Sequence, residues 1–284
     1  MSAFLSRSVL TLPARARGET RLAAGGESCP PGRAPVRPAP AGVVCPANAV
    51  MVMQRYEFKY LLDPDQTALL RRRLEGHMQV DEFGLTTIAS LYYDTPDYRL
   101  IRASVEKPPF KEKIRLRSYG PATQTSPVFL ELKRKAGGVV YKRRVQTTVP
   151  MADRFFAGAC DVCAGGQINR ELAFFRDFYR DLAPACLILC DRTAWFEPDG
   201  ETRLTIDEAP RCRVDGLSLT GGTEGIPLLP AGWTILEAKI QQAMPLWLAA
   251  ILSEGRIYKT SFSKYGEAYR RYLCRGGPGS RKDL

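Results

Sequence analysis

The segment KEKIRLR, at residues 111–117, decides the fold, because a cation stands at every second position of it. Side chains alternate between the two faces of a β-strand. Lys113, Arg115 and Arg117 therefore project from one face, whereas the Ile and Leu between them project from the other. The segment predicts a strand with one cationic face and one apolar face.

The next patterned segment, FLELKRK at residues 129–135, repeats this arrangement. Glu131, Lys133 and Lys135 share one face, and two leucines occupy the opposite one. Residues 111–144 as a whole contain ten Lys and Arg residues against two Glu residues. The positive charge of the chain is therefore concentrated in consecutive strands rather than spread evenly.

A third segment, YKRR at residues 141–144, follows a short glycine turn and places Lys142 and Arg144 on the face opposite Arg143. The sequence does not tell which of these two faces is inward. Each charged face taken singly could simply contact solvent, as in most half-buried sheets. Like charges directly opposite each other repel, however, so three cationic strands in succession favour an enclosed face that binds a polyanion.

The same alternation recurs in distant segments of the chain. The charged or polar residues at alternate strand positions there are Glu57, Lys59, Arg192, Arg203, Thr205, Asp207, Glu237 and Lys239. The apolar residues between them require cover, which helices packed outside the sheet can provide. We therefore predict a barrel whose charged face points inward and whose apolar face points outward.

Eight segments show period-two patterning or enrichment in β-branched and aromatic residues. They are Tyr56–Leu62, Thr87–Asp94, Lys111–Tyr119, Val128–Lys135, Val139–Val149, Leu187–Phe196, Thr202–Asp207 and Trp233–Ile240. Helical patterns cover Gln66–Leu74, Arg170–Leu182, Pro245–Leu252 and Lys264–Leu273. Many strands with few helices predict an α+β fold that is mostly antiparallel β: an eight-stranded closed tunnel barrel with peripheral helices.

The chain has 284 residues and a formal net charge of +11, which suits nucleic acid, acidic lipid or a phosphorylated ligand. Residues 1–50 are rich in Ala, Pro, Gly and Arg, which predicts a disordered extension or a mis-set start codon. Residues 51–274 would then form the tunnel domain, and residues 275–284 a disordered tail.

The chain has eight cysteines but no secretory signal, and no apolar run approaches the length of a membrane span. These features predict a cytoplasmic protein without membrane insertion.

An ordered set of motifs spans most of the chain. The motifs are RYEFKY at 55–60, SLYYDT at 90–95, KIRLR at 113–117, FLELK at 129–133, YKRR at 141–144, LEAK at 236–239 and SFSKY at 261–265. Together they resemble the VTC-type polyphosphate polymerase domain, a CYTH-like branch of the triphosphate tunnel metalloenzymes. The resemblance implies an eight-stranded tunnel that moves the γ-phosphate of ATP onto a growing polyphosphate chain. It also implies a divalent metal cofactor, Mn²⁺ or Mg²⁺, with ATP and polyphosphate as partners.

The resemblance assigns roles to individual residues. The catalytic phosphate contacts would be Lys59, Arg115, Arg117, Lys133 and Lys264. The substrate-binding residues would be Lys113, Lys142, Arg144, Arg192, Arg203, Lys239 and Ser263. Glu237 would be the main metal ligand, with Glu57, Glu131 or Asp207 as further candidates.

Two features leave alternatives open. Arg55 stands where the broader superfamily has the first Glu of an ExExK strand, which disfavours a triphosphatase that takes two carboxylates from that strand. A cationic lining also binds anions whether or not it turns them over. A triphosphate hydrolase and a non-catalytic module that binds polyphosphate or inositol phosphates are therefore alternatives to the polymerase. Nucleic acid is not expected as a partner, since no aromatic platform for RNA bases is visible on these strands, and the sequence does not indicate an oligomeric state.

Overall fold

The computed structural model describes residues 56–274, except residues 107, 138, 163, 164, 199, 201 and 242. The predicted N-terminal extension, residues 1–50, and the predicted tail, residues 275–284, lie outside the described residues. The described chain consists of one antiparallel sheet and of helices packed on it. None of the helices in this part has the length and the apolar character that crossing a membrane requires.

The described part of the chain contains strands and helices in the following order. The strands are β1 (Tyr56–Leu62), β2 (Gln79–Asp94), β3 (Phe110–Tyr119), β4 (Val128–Ala136), β5 (Val139–Thr147), β6 (Ala183–Phe196), β7 (Arg203–Arg213), β8 (Ile226–Pro227), β9 (Thr234–Ile240) and β10 (Lys259–Thr260). The helices are α1 (Pro64–Leu74), α2 (Arg99–Glu106), α3 (Val149–Phe156), α4 (Gly166–Tyr179), α5 (Leu246–Glu254) and α6 (Lys264–Ala268), which continues as a π-helical turn over Tyr269–Leu273. Every predicted strand has a counterpart, and the short β8 and β10 are additions.

The strands form a single sheet in the order β10-β1-β9-β7-β6-β2-β3-β4-β5, with β8 paired to β7. The pairings are antiparallel, as predicted. The prediction of an eight-stranded closed barrel is wrong in two respects, because the described sheet has 10 strands and no hydrogen-bonded pairing joins its two ends. At one end of the sheet, β10 pairs with Lys59 and Tyr60 and so occupies part of the edge of β1 that β5 would need for closure.

The sheet curves until its two ends approach each other. The ammonium nitrogen of Lys133, on β4, lies 3.7 Å from Oε2 of Glu57, on β1. These two strands are far apart in the sheet order, since β9, β7, β6, β2 and β3 lie between them. Side chains therefore meet across an opening that backbone hydrogen bonds do not close.

The outer face of the sheet carries the hydrophobic core. Ile114, Leu116, Leu130 and Leu132 are at most 1% exposed and pack against α3 and α4. A second cluster lies under α1 and α5. Full burial of one such aliphatic side chain contributes about 1.5–3 kcal/mol. Because these residues alternate with Lys and Arg, burying them under helices directs the cations to the inner face.

The helices of the structure agree with the sequence prediction in part, and differ from it in where they end and in number. α1 begins at Pro64, two residues before the predicted pattern, and Asp63 caps it: its side chain accepts a hydrogen bond of 2.8 Å from the backbone N of Gln66, and its backbone N donates one of 3.1 Å to Oε1 of Gln66. α4 ends earlier than predicted, at Tyr179, since Arg180 and Asp181 adopt positive φ angles of 49° and 34°. α2 and α3 are not among the predicted helices. α3 packs in the first core cluster on the outer face, whereas α2 contributes Leu100 to that cluster and Ile101 to a third cluster with Tyr265 of α6.

Candidate functional site

The inner face of the sheet collects the predicted residues of β3, β4 and β5. Residues that are directly paired across antiparallel strands share a face of the sheet. In the register of these strands, the residues on the inner face are Lys113, Arg115, Arg117, Glu131, Lys133, Lys142 and Arg144. The structure therefore brings together side chains that the sequence could place only strand by strand.

The orientation of β5, which the sequence leaves open, follows from the partners of its charged residues. Nε of Arg143 donates a hydrogen bond of 2.9 Å to Oε2 of Glu171, on the outer helix α4. Lys142 and Arg144 instead contact Glu131 on the inner face. Arg143 therefore points outward, and its two neighbours point inward.

Glu131 is the centre of the cationic face. Its side chain is 2% exposed, and its carboxylate lies 2.7 Å from Nη2 of Arg115 and 2.7 Å from Nζ of Lys142. The Nε atoms of Arg144 and Arg117 follow at 3.6 and 3.9 Å. Burial alone would raise the pKa of Glu131, but the charges of Arg115, Arg117 and Lys142 outweigh it and lower the pKa. Glu131 thus acts as a buried counter-ion that keeps the cations close together.

An acidic pair, Glu57 on β1 and Glu237 on β9, lies on either side of Lys59. Nζ of Lys59 donates a hydrogen bond of 2.9 Å to Oε1 of Glu237 and lies 3.7 Å from Oε1 of Glu57. Burial and the charge of Glu237 both act to raise the pKa of Glu57, but Lys133 and Lys59 outweigh them, so that its pKa is lowered. Burial likewise opposes the ionisation of Glu237, whose pKa is lowered well below its ordinary value by Lys59 and its other cationic neighbours. Both carboxylates are therefore ionised.

Asp207, a fully buried residue of β7, binds two of the predicted cations. Arg192 donates two hydrogen bonds to it, from Nε to Oδ1 at 2.5 Å and from Nη2 to Oδ2 at 2.7 Å. Lys264 donates a further hydrogen bond to Oδ2. Burial would raise the pKa of Asp207, but Lys264 and Arg192 lower it to about 2. Asp207, which the sequence suggests only as a further metal ligand, is placed to orient these two cations.

Lys264 comes from α6, whose start is capped by Ser263. The side-chain oxygen of Ser263 accepts a hydrogen bond of 3.2 Å from the backbone N of Gly266, an N-cap contact. The resemblance assigns Ser263 to the phosphate site, and this assignment stays a prediction. The structure shows that the Ser263 side chain caps the helix that carries Lys264.

Asp94 and Tyr265 connect α6 to the sheet. The hydroxyl of Tyr265 donates a hydrogen bond of 2.9 Å to Oδ2 of Asp94. The carboxylate of Asp94 also accepts hydrogen bonds from the backbone N of Leu100 and of Ile101, at 2.9 and 3.0 Å. The ring of Tyr265 stacks on Tyr92, with 4.5 Å between the ring centroids. Sequence reasoning missed these roles, although the SLYYDT motif at residues 90–95 contains both Tyr92 and Asp94.

Two groups on the inner face have pKa values near 8. Burial lowers the pKa of Lys113 to about 8, with help from the positive charges of Lys59 and Lys133. Burial would raise the pKa of Tyr92, but Arg115 and Lys113 outweigh it and contribute to a value of about 8. Nη1 of Arg115 also donates a hydrogen bond of 2.9 Å to the Tyr92 hydroxyl oxygen. The part of each shift that comes from neighbouring Lys and Arg residues reflects the positive charge of this face, which a bound anion would offset.

Two predicted substrate residues lie toward one end of the face. Arg203 pairs in register with Lys239, and Lys239 pairs with Glu57. Lys239 stands two positions after Glu237 on β9, so its side chain is on the same face and the charged residues continue beyond the pair of Glu57 and Glu237. Arg203 is exposed, which distinguishes it from the buried Asp207 on the same strand.

Two acidic residues of the inner face are placed to share a divalent cation. No group of three or more His, Cys, Asp or Glu side chains in the described part of the chain is placed to bind a metal ion. Glu57 and Glu237 fit such a cation better, because both carboxylates lie within 4 Å of the single ammonium of Lys59 and are therefore close enough to each other to share one ion. The buried hydroxyl of Thr205, opposite Glu237, also has no hydrogen-bond partner among the described residues. Glu131 fits less well, since cations already surround it, and Mg²⁺ commonly takes one or two carboxylates plus substrate phosphates.

Several solved structures are similar to this chain. A candidate adenylate cyclase from Vibrio parahaemolyticus is 13% identical, with 76% of this chain and 98% of that chain covered and a TM-score of 0.41. Another from Bacillus halodurans is 14% identical, with 74% and 96% covered and a TM-score of 0.44. A candidate adenylyl cyclase from Hippeastrum, with a dominant triphosphatase activity, is 17% identical, with 75% and 94% covered and a TM-score of 0.46.

No curated protein matches this chain. The family comparison is more informative, since residues 54–273 match the family model of the VTC domain. That range contains the whole described sheet from β1 to β10. The chain therefore belongs to the VTC-domain family.

Proposed function

We propose that this protein is a polyphosphate polymerase-like phosphotransferase, which moves the γ-phosphate of ATP onto a polyphosphate chain inside its basic tunnel. One observation carries the proposal: Lys and Arg side chains from six different elements converge on one inner face, where only a few carboxylates accompany them. The elements are β1, β3, β4, β5, β6 and α6. Membership of the VTC-domain family supports the same conclusion.

The chemistry of phosphoryl transfer suits such a face. The reaction requires a protein chiefly to position the phosphates and to stabilise the charge on their oxygens. Arg115 and Arg117 offer planar donors for bidentate contacts, while Lys113 and Lys133 act as point charges. Glu131 offsets the repulsion among these cations before a substrate binds. The face is therefore organised in advance for a chain of phosphates.

The phosphoryl group that is transferred can bind between the cations around Glu131 and the cations around Asp207. Arg117 belongs to the cluster around Glu131, and Arg192 to the cluster around Asp207. Burial together with the positive charges of Arg115 and Arg192 lowers the pKa of Arg117, so the two clusters are within electrostatic reach of each other. We propose that the transferred phosphoryl group binds between Arg117 and Arg192, with Lys264 close by.

The proposed cofactor is Mn²⁺ or Mg²⁺, and Glu237 and Glu57 are the residues that would hold it. Such an ion would supply positive charge that neutralises the phosphates during transfer. Lys59 orients both carboxylates through its ammonium group. The hydroxyl of Thr205, which is paired with Glu237 on the same face, would offer a further oxygen to such an ion.

Incubating the purified protein with ATP and Mn²⁺ tests the proposal. We expect long polyphosphate chains on a gel, and we expect Glu237→Gln to abolish them while tripolyphosphate binding, measured by calorimetry, persists. Free phosphate without polymer would instead indicate a triphosphate hydrolase. Binding of polyphosphate without any consumption of ATP would indicate a binding module. If the unaltered protein did not bind tripolyphosphate, the proposal that its inner face binds phosphate chains would be contradicted.

A further inference from the structure

A small aromatic cluster ends the inner face. Tyr119 is the last residue of β3, and Phe129 is the second residue of β4. Their ring centroids are 5.7 Å apart, with an edge-on angle of 76° between the planes. Lys113, near the other end of β3, lies 5.9 Å from the ring of Tyr265 on α6. Since a strand rises about 3.3 Å per residue, the aromatic cluster lies about 20 Å from the end that α6 occupies.

Arg144 joins this cluster to the phosphate-binding residues. Its guanidinium carbon lies 3.7 Å from the ring centroid of Phe129 and 5.3 Å from that of Tyr119. Its Nε lies 3.6 Å from Oε1 of Glu131. A guanidinium stacked on a ring in this way is held flat. Arg144 therefore contacts the aromatic cluster on one side and the cationic face on the other.

Tyr119 belongs to the tunnel and not to the hydrophobic core. It is two positions after Arg117 on β3, so the two side chains share a face and lie about 7 Å apart along the strand. Burial would raise the pKa of Tyr119, but the charges of Arg117 and Arg144 lower it, as expected for a phenol beside these cations. Tyr119 is 47% exposed. An aromatic ring is therefore accessible directly beyond the cations that the proposed function assigns to phosphate.

We propose that Tyr119, Phe129 and Arg144 form a nucleobase-stacking site. A nucleoside triphosphate binds with its base on the exposed ring of Tyr119 and with its phosphates extending from Arg117 toward Arg192. Bases stack on aromatic side chains and on Arg guanidinium planes. This inference rests on the proposed function, because it presupposes that the inner face binds the triphosphate of a nucleotide. It explains how a tunnel that binds any phosphate chain can distinguish the nucleotide donor from the polyphosphate product.

Comparing two ligands that share a triphosphate, only one of which carries a nucleoside, tests this site. The full chain is titrated by calorimetry with ATP and with inorganic tripolyphosphate, without added metal. We expect Tyr119→Ala to weaken ATP binding about tenfold, in line with the loss of one base–aromatic stack, and to leave tripolyphosphate binding unchanged. Tyr119→Phe, which keeps the ring, should restore ATP binding. The matched control is Phe178→Ala on α4, an aromatic residue that is 55% exposed on the outer side of the sheet and should affect neither ligand.

The possible outcomes separate this inference from the proposed function. If Tyr119→Ala weakened both ligands equally, or neither, the stacking site would be refuted while the phosphate tunnel would stand. If the nucleoside-dependent loss appeared but ATP gave no polymer, the stacking site would stand and the polymerase would be refuted. Failure of the unaltered protein to bind either ligand would overturn both. Circular dichroism and a thermal melt identify a variant that loses binding because it does not fold.

Discussion

Lys133 on β4 and Glu57 on β1 face each other across the open edge of the sheet, with 3.7 Å between Nζ and Oε2. Their side chains are 49% and 35% exposed. Exposed ion pairs contribute about 0–1 kcal/mol to stability, so this pair contributes little to holding the curved sheet together. It is better suited to a binding role, because an incoming phosphate can replace Glu57 as the partner of Lys133.

We therefore expect Lys133→Ala to lower the free energy of unfolding by no more than about 1 kcal/mol. The same change should weaken tripolyphosphate binding about tenfold, since a hydrogen bond to a charged group contributes about 1.5–3 kcal/mol. Denaturant titration and calorimetry measure the two effects. The control is Arg73→Ala, which removes a comparably exposed pair with Glu254. Equal phosphate binding by the two variants would show that Lys133 is not a ligand.

Replacing Glu131, the carboxylate at the centre of the cationic face, should lower the stability of the fold much more than replacing Lys133. Glu131→Gln leaves the surrounding Arg and Lys residues without their shared counter-ion, and breaking a buried ion pair costs about 3–5 kcal/mol. We expect added tripolyphosphate to restore more stability in this variant than in the unaltered protein, because the anion replaces the lost charge. Urea denaturation with and without ligand measures this. Asp97→Asn, which removes an exposed partner of Arg102, serves as the control and should show no such rescue.

Phosphate binding should weaken as the pH rises through about 8, where Lys113 loses a positive charge and Tyr92 gains a negative one. The effect on stability has the opposite sign. Both folded-state pKa values lie below the ordinary values of 10.5 and 10.0, so the unfolded chain binds more protons above pH 8. The contribution of these groups to stability therefore rises with pH between about 8 and 10.

Calorimetric titration with tripolyphosphate over this pH range measures the change in affinity. The double variant Lys113→Arg and Tyr92→Phe keeps the positive charge and cannot form a phenolate. Any titration of the ligand itself is common to both proteins. An identical pH profile in the double variant would therefore rule out Lys113 and Tyr92 as the titrating groups.

The hydrogen bond between Tyr265 and Asp94 should affect tripolyphosphate binding indirectly, through the position of Lys264 on α6. Tyr265→Phe removes a donor from a buried carboxylate, which costs about 1–3 kcal/mol of stability. We also expect weaker tripolyphosphate binding, because Lys264 precedes Tyr265 on the same short helix and depends on its position. Tyr258→Phe, at a site that is 77% exposed, provides the control. A variant with reduced stability and full affinity would show that α6 does not need this contact to place Lys264.

Much of the site was accessible from the local pattern of residues. The KEKIRLR segment predicts both the strand and its cationic face, since period-two alternation is a property of a few consecutive residues. Asp207 is different, because its role depends on Lys264 and Arg192, which reach it from α6 and β6. Tyr119 and Phe129 were also visible only as strand residues. Their meeting at one end of the face depends on the register of β3 and β4.

The sequence by itself determined that strands would alternate cations with aliphatic residues, and hence which side chains would leave the apolar face. The tertiary structure decided what those charges contact. Lys59 and Glu237 are 178 positions apart, yet they meet because β1 pairs with β9. It also decided that no backbone pairing joins the two ends of the described sheet, where β10 occupies part of the edge of β1. Alternation is local, whereas the pairing of distant strands is chosen by the packing of the whole chain.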